Sequence, residues 1–338
     1  MRSTGQAIQN LLLALFALTL VLAFTLILLF ARPGAADDEL VLYAGRSRTL
    51  VEPLIQRFEQ ETGVRVRVRY GHSAELAMSL REAGQRARAD LFWAQDAGAL
   101  GALVHAGLLT PLPDALLADV PEYYRQAQGL WVATSGRARV LAYAPGRVDE
   151  AELPASVFDL TDTRYAGRVA WAPTNASFQA FVTAMRRTHG DDATRSWLAA
   201  MRDNRPRTYA NNTAILEAIA AGEADLGLTN HYYLLRRQAE DPAYPVAQQA
   251  FVDGDIGNLL NVAGAARLTT ARNVDAADRF IAFLLSDEAQ RYFVDETLEY
   301  AVRGGSGDDA SEAAPRIDLD ELEDLQGTLR LLREVGLL

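Results

Sequence analysis

The sequence contains no cysteine and no lysine. The first absence excludes disulfides, thiolate metal sites and a lipid-modified N-terminal Cys. The second makes all 33 basic residues arginine, a bias that a GC-rich coding sequence explains without any function. Positive charge is scarce overall, with 44 acidic residues and a net charge of -11. No basic stripe with interleaved aromatics offsets it, so a nucleic-acid partner is excluded. Also missing are GxSxG, HExxH, the phosphate-binding P-loop and the dinucleotide fingerprint. Nothing in the sequence therefore signals an enzyme.

What is present is a globular composition. The 338 residues are 49% hydrophobic and 23% charged, enough chain for two domains of ordinary size. Residues 11–31, from Leu11 to Ala31, carry no charge; Arg2 precedes them and Arg32-Pro33-Gly34-Ala35-Ala36 follows. Such a run is long enough to span a membrane, and the small residues after it suit cleavage. Residues 1–36 are therefore read as a signal peptide or an N-terminal membrane anchor, with the rest exported to the periplasm or extracytoplasmic face.

From Glu39 the pattern alternates strand and helix. Residues 39–43, 64–70 and 89–93 read as strands, and 49–62, 73–83 and a segment from Gln95 to about Gly107 as helices. This β-α-β-α-β order implies a parallel sheet with right-handed crossovers. Residues 130–143 contain two strand-like halves joined through Ser135-Gly136-Arg137, where the chain crosses into a second lobe. Residues 158–160 and 164–167 resemble surface segments. Residues 168–172 form a strand, followed by helices over 178–188 and 192–202, and Asn212 is expected to cap a helix over 214–221. Residues 258–267 read as the return crossing, and 319–335 as a last helix. The fold class is α/β, with lobe 1 at 38–136 plus 264–300 and lobe 2 at 137–263 plus 301–338.

The central stretch is ADLGLTNHYYLLRR, residues 224–237. A buried strand over 224–229 leads to Asn230 as N-cap and a helix from His231. Tyr232 and Tyr233 then lie in the first helical turn at the carboxyl end of a strand, where ligands collect in open α/β sheets. Helix N-termini also favour anions. Two phenols there are candidates to ionise and hold a hard cation, or else one packs inward and the other lies on the surface. His231 is expected to be a cap or surface residue.

Taken together, LVLYAGRS, FEQETGVRVRVRYG, ADLFWAQDAGALGALVHAGLL, SGRARVLAY, YAGRVAWAPTNASFQAF, RTYANNTAILEAIAAGEADLGLTNHYYL and GDIGNLLNVAGAARL resemble the periplasmic ferric-ion-binding proteins. The most specific pieces are Tyr209-Ala210-Asn211-Asn212 and Asn230-His231-Tyr232-Tyr233. The resemblance implies a two-lobed type II periplasmic-binding-protein fold with hinge crossings between the lobes. It implies that Tyr232 and Tyr233 bind Fe(III) as phenolates, which suits a hard ion. It further implies a synergistic phosphate or carbonate held by Asn175, Ala176, Ser177, Asn212 and Asn230; Arg46 is a candidate for a bidentate contact to that anion, with Ser47 beside it. The expected partner is an ABC-type iron permease in the inner membrane, and the protein is expected to be a monomer.

Three positions depart from the family's patterns. Ser47 stands where some members place a His, Gln95 followed by Asp96 where some place a Glu, and Asn175-Ala176-Ser177-Phe178 where others place a third Tyr. The shortage of protein donors puts more weight on the anion. Gln95, Asp96 and His72 remain candidate cleft residues. The competing readings are a binder of a phosphonate or other small organic anion, and a membrane-tethered solute sensor using the run from Leu11 to Ala31.

Overall fold

The computed structural model describes residues 39–303 and 313–338. The expected signal or anchor, and most of the loop at 304–314, lie outside the described residues. Among those described, no helix is long and apolar enough to cross a membrane.

Strand β1 (Glu39–Ala44) alternates half-buried and buried side chains and leads into α1 (Arg48–Thr62). Gly63, at φ 72°, ends that helix in the left-handed conformation that only glycine adopts cheaply. Next come β2 (Arg65–Tyr70), α2 (Ser73–Ala83), β3 (Leu91–Ala94), α3 (Ala97–His105) and the single turn α4 (Asp114–Leu117). Strands β1 and β3 pair in parallel, as the alternation of strand and helix requires.

The chain then enters β4 (Val132–Tyr143), one twelve-residue strand rather than two halves, buried at every position. Its first part pairs with β9 (Leu260–Arg267) and its second with β7 (Leu226–Asn230) and β8 (Ala247–Gln249). A register shift between Ala133 and Ser135 absorbs the local irregularity, so the strand bends without breaking. The second lobe adds β5 (Val169–Trp171), α5 (Ala176–His189), α6 (Asp191–Asp203), β6 (Arg207–Thr208), α7 (Asn212–Ala220) and α8 (His231–Glu240). The strand order is β2-β1-β3-β9-β4-β7-β5-β6, with β8 off this path beside β4. Strands β4 and β9 thus carry the chain between two halves of the sheet in the two-lobed arrangement of a type II periplasmic binding protein.

The segments expected at the surface behave differently. Val157–Thr161 and Thr163–Tyr165 are short 3-10 turns that bury Leu160 and Tyr165. One turn of three-residue period turns single side chains inward, which a short sequence window does not reveal.

After β9, helices α9 (Val274–Leu284) and α10 (Asp287–Asp295) cover the first half of the sheet. Phe58, Phe280 and Trp93 meet edge to face there, with ring centroids 4.9 and 5.9 Å apart. The last segment is a 3-10 turn (Leu319–Glu323) followed by α11 (Leu325–Glu334), broken at Asp324 rather than one helix. It touches both halves. Trp131 Nε1 donates to Asp320 at 2.6 Å, and His105 meets Glu323 at 2.7 Å. On the other side Thr183 and Thr328 share a hydrogen bond of 2.7 Å, and Arg186 pairs with Asp324. Gly98 and Gly101 allow the close approach: a Cβ on Gly101 would lie 2.2 Å from the Asp320 carbonyl oxygen.

Candidate functional site

A cavity of about 590 Å³ opens between α2 and α3 on one side and α5 and α8 on the other. Arg137 and Arg139 of β4 and Asn261 of β9 line it from the crossing strands, and Glu323 and Gln326 from the C-terminal segment. Tyr232 and Tyr233 line it together. Their rings stack at 4.3 Å with 28° between planes. Both rings are half-buried, and Tyr233 also packs against the edge of the second lobe's apolar cluster. Burial raises the Tyr232 phenol above its ordinary value, against the opposing pull of Arg137. Tyr232 is therefore protonated at neutral pH.

Beside the phenols is a polar cradle. Asn175 caps α5, accepting from Ser177 N at 3.0 Å and from Ser177 Oγ at 2.6 Å. Ser177 Oγ in turn accepts from Arg139 Nη1 and from Asn212 Nδ2, each at 3.3 Å. Asn230 Oδ1 accepts from Arg139 Nη1 at 3.2 Å. Asn230 does begin α8, but its side chain serves Arg139 rather than capping. The α7 cap is Asn211, and Asn212 sits one residue inside the helix with its side chain buried against Ser177. One residue of shift turns the expected cap into part of the cradle. Ala176 lines the cavity through the first turn of α5.

Arg139 is the residue that sequence reasoning missed. It is 3% exposed, lies against the faces of Phe178 and Phe181, and has a buried Nη2 with no hydrogen-bond partner. Burial lowers its pKa to about 10, with Tyr233 pulling the other way, so it stays charged at pH 7. Arg137, two residues earlier on the same face of the strand, donates to the Gln95 carbonyl. The signal was legible in SGRARVLAY, where two arginines alternate inside a strand that is otherwise apolar.

Arg46 is not in the cavity. Its guanidinium is fully buried and donates to both Ser135 Oγ and Glu299 Oε2. A residue that follows a strand and faces the core satisfies a buried carboxylate before it reaches a cleft. Ser47 is exposed and paired with Thr49 at 3.0 Å. Gln95 and Asp96 do line the cavity. Asp96 caps α3, accepting from Ala99 N at 2.9 Å, and burial raises its carboxyl above the ordinary value. His72 lines the facing side and is exposed. His231 is buried rather than at the surface, 4.2 Å from the Tyr300 ring in a near-parallel stack. Among the described residues, no three His, Asp or Glu side chains converge on a point that would hold a metal.

With this geometry in place, known proteins resemble the chain along nearly its whole length. The profile of bacterial extracellular solute-binding proteins matches residues 40–296. The Fe(3+)-binding periplasmic protein of Serratia marcescens is 30% identical over 334 residues, covering 96% of this chain and 97% of that one. The structure of iron-bound HitA from Pseudomonas aeruginosa superposes with a TM-score of 0.78 at 31% identity, covering 88% of this chain and 99% of HitA. A Trichodesmium protein (IdiA, FutA) in complex with iron and citrate ligands has a TM-score of 0.78 at 27% identity, covering 89% of this chain and all of that one. The family is one of solute-binding proteins and not of enzymes. The chain belongs to the bacterial extracellular solute-binding proteins, among the periplasmic ferric-ion-binding proteins.

Proposed function

We propose that the protein captures Fe(III) in the periplasm and hands it to an ABC-type importer in the inner membrane. Tyr232 and Tyr233 bind the ion as phenolates. A synergistic carbonate or phosphate sits on the α5 N-terminus between Asn175, Ala176 and Ser177, with Arg139 as its counter-charge. Asn212 and Asn230 hold Ser177 and Arg139 in place from behind. Arg139 takes the role that sequence reasoning gave to Arg46. The observation that carries this reading is the stacked tyrosine pair, open to the same cavity as an unpartnered buried guanidinium Nη2. Fe(III) prefers anionic oxygen donors, and a helix N-terminus prefers anions. The lobes, taken as 38–136 plus 264–300 and 137–263 plus 301–338, close over the ion by bending at β4 and β9. Closure brings the side with Gln95, Asp96 and His72 toward the phenols.

A second reading, a binder of a small organic anion, draws on Arg137 and Arg139 lining the same cavity. One titration separates the two. Purified protein stripped of phosphate and carbonate is titrated with ferric citrate, then with each anion restored. The ferric reading expects a visible phenolate charge-transfer band that needs the anion and is lost in Tyr232→Phe. An unchanged band in Tyr232→Phe, or no band at all, refutes it.

A further inference from the structure

We infer that His231 and Tyr300 are positioning residues for Tyr232, and that Tyr300 ties the aim of that phenol to the hinge strand. The inference rests on the ferric reading and adds residues that touch neither the ion nor the anion.

The Tyr232 ring is held from three sides. Tyr233 stacks on it, the Arg236 guanidinium lies 5.1 Å from its centroid, and His231 meets it edge-on at 5.8 Å and 82°. His231 has no access to the cavity and serves only to hold. Ala138 N donates to its Nδ1 at 3.3 Å, and its ring lies on Tyr300 with only 22° between planes. A cap or a filler would not need an aromatic ring on both sides of this contact.

Tyr300 is itself locked to β4. Its N–H donates to Gly136 O at 2.8 Å, and Gly136 N donates back to Tyr300 O at 2.9 Å. Gly136 lies in ordinary contact range of Tyr300: a Cβ there would be 3.5 Å from the Tyr300 Cβ and 3.1 Å from Leu260 Cδ1. This is the stretch where β4 leaves its pairing with β9 and takes up β7. The neighbouring residues anchor the same segment. Glu299 grips Arg46 and Ser135, and Thr297 O accepts from Arg236 at 3.3 Å. Leu298, between Thr297 and Glu299, takes the left-handed conformation at φ 57°. Bending at β4 therefore carries Tyr300 with it, and Tyr300 carries His231 and the Tyr232 ring. Residues that orient a ligand without touching the metal are worth about 10- to 100-fold in affinity.

The test uses the full chain with Tyr300→Leu, Tyr300→Phe, His231→Gln and Tyr232→Phe. Band position, iron release to a chelator and thermal melting are read for each. Tyr300→Leu and His231→Gln should keep a folded, iron-binding protein with a shifted band and release faster by about 10- to 100-fold. Tyr300→Phe keeps the ring and should restore wild-type values. If Tyr300→Leu does not fold, His231→Gln decides. Wild-type band and release in Tyr300→Leu and His231→Gln, beside a bleached Tyr232→Phe, overturn this inference alone. A band that survives in Tyr232→Phe overturns the ferric reading and the inference with it.

Discussion

Glu299→Gln removes one charge from a pair that water does not reach. The Arg46 and Glu299 side chains are 0% and 2% exposed, and both Nη atoms of Arg46 donate to Glu299 Oε2 at 3.0 Å. Burial pushes the Glu299 carboxyl up, but Arg46, Arg137 and the Ser135 hydroxyl outweigh it and leave the group below its ordinary 4.5. Burial also lowers Arg46, so the carboxyl's shift overstates what the pair as a whole contributes. The informative quantity is the cost of orphaning Arg46, about 3–5 kcal/mol for a buried charge that loses its partner. At the low end of about 2–4 °C per kcal/mol for larger domains, that is a fall in Tm of roughly 6–10 °C at pH 7. Calorimetry and urea unfolding measure both figures. The double variant Arg46→Met/Glu299→Leu should recover most of the loss, because an apolar pair of similar volume needs no desolvation. The pH dependence has a definite sign. A depressed carboxyl adds stability that is complete above its unfolded pKa and disappears as pH falls through the folded value. Wild type should therefore lose stability below about pH 4.5 more steeply than the double variant. A loss under about 1 kcal/mol in Glu299→Gln, or a double variant no better than the single, refutes the reasoning.

Three further outcomes follow from the same structure. Arg139→Met should weaken the anion's enhancement of iron binding by about 10- to 100-fold, since hydrogen bonds to charged groups contribute about 1.5–3 kcal/mol, and titration with and without carbonate reads it. Gly101→Ala should destabilise by about 1–3 kcal/mol and speed protease cleavage ahead of Leu319, because the new methyl meets the Asp320 carbonyl, backbone that cannot rotate away. Iron binding should release the Tyr232 proton, since burial holds that phenol protonated, so apparent affinity should rise about tenfold per pH unit for each proton displaced, measured by uptake across buffers.

How far the sequence could be read differs by element. Helices with strong periodicity and plain stops were legible almost to the residue: 49–62 against Arg48–Thr62, and 192–202 against Asp191–Asp203. The long strand β4 was not, because Ser135-Gly136-Arg137 carries the marks of a turn. Ser135 and Arg137 find partners distant in sequence, Glu299 and the Gln95 carbonyl, although Arg137 Nε stays unpartnered. The same cause hid the roles of Arg46 and Arg139. Both are buried arginines, Arg46 just after β1 and Arg139 on the crossing strand β4, and only the partner's position decides which one reaches the cleft. The tyrosine pair was legible because a strand end followed by a helix start is a local pattern. His231 was not, because the ring that covers it lies 69 residues downstream at Tyr300.

Charge explains why the cleft needs more than its tyrosines. On the ferric reading the ion brings three positive charges, and Arg81, Arg137 and Arg139 add three more to the same cavity. Two phenolates leave four of the six uncompensated, and counting Asp96 and Glu323 as ionised still leaves two. Such an excess, partly shielded from water, repels the cation it is meant to hold. A dianion on the α5 N-terminus removes most of it and accepts hydrogen bonds from the arginine that would otherwise oppose the metal. On the ferric reading, Arg139 thus makes iron binding conditional on the anion. Removing the guanidinium should weaken binding in carbonate while bringing anion-free binding closer to it, whereas equal losses under both conditions would show that Arg139 acts only as packing against Phe178 and Phe181.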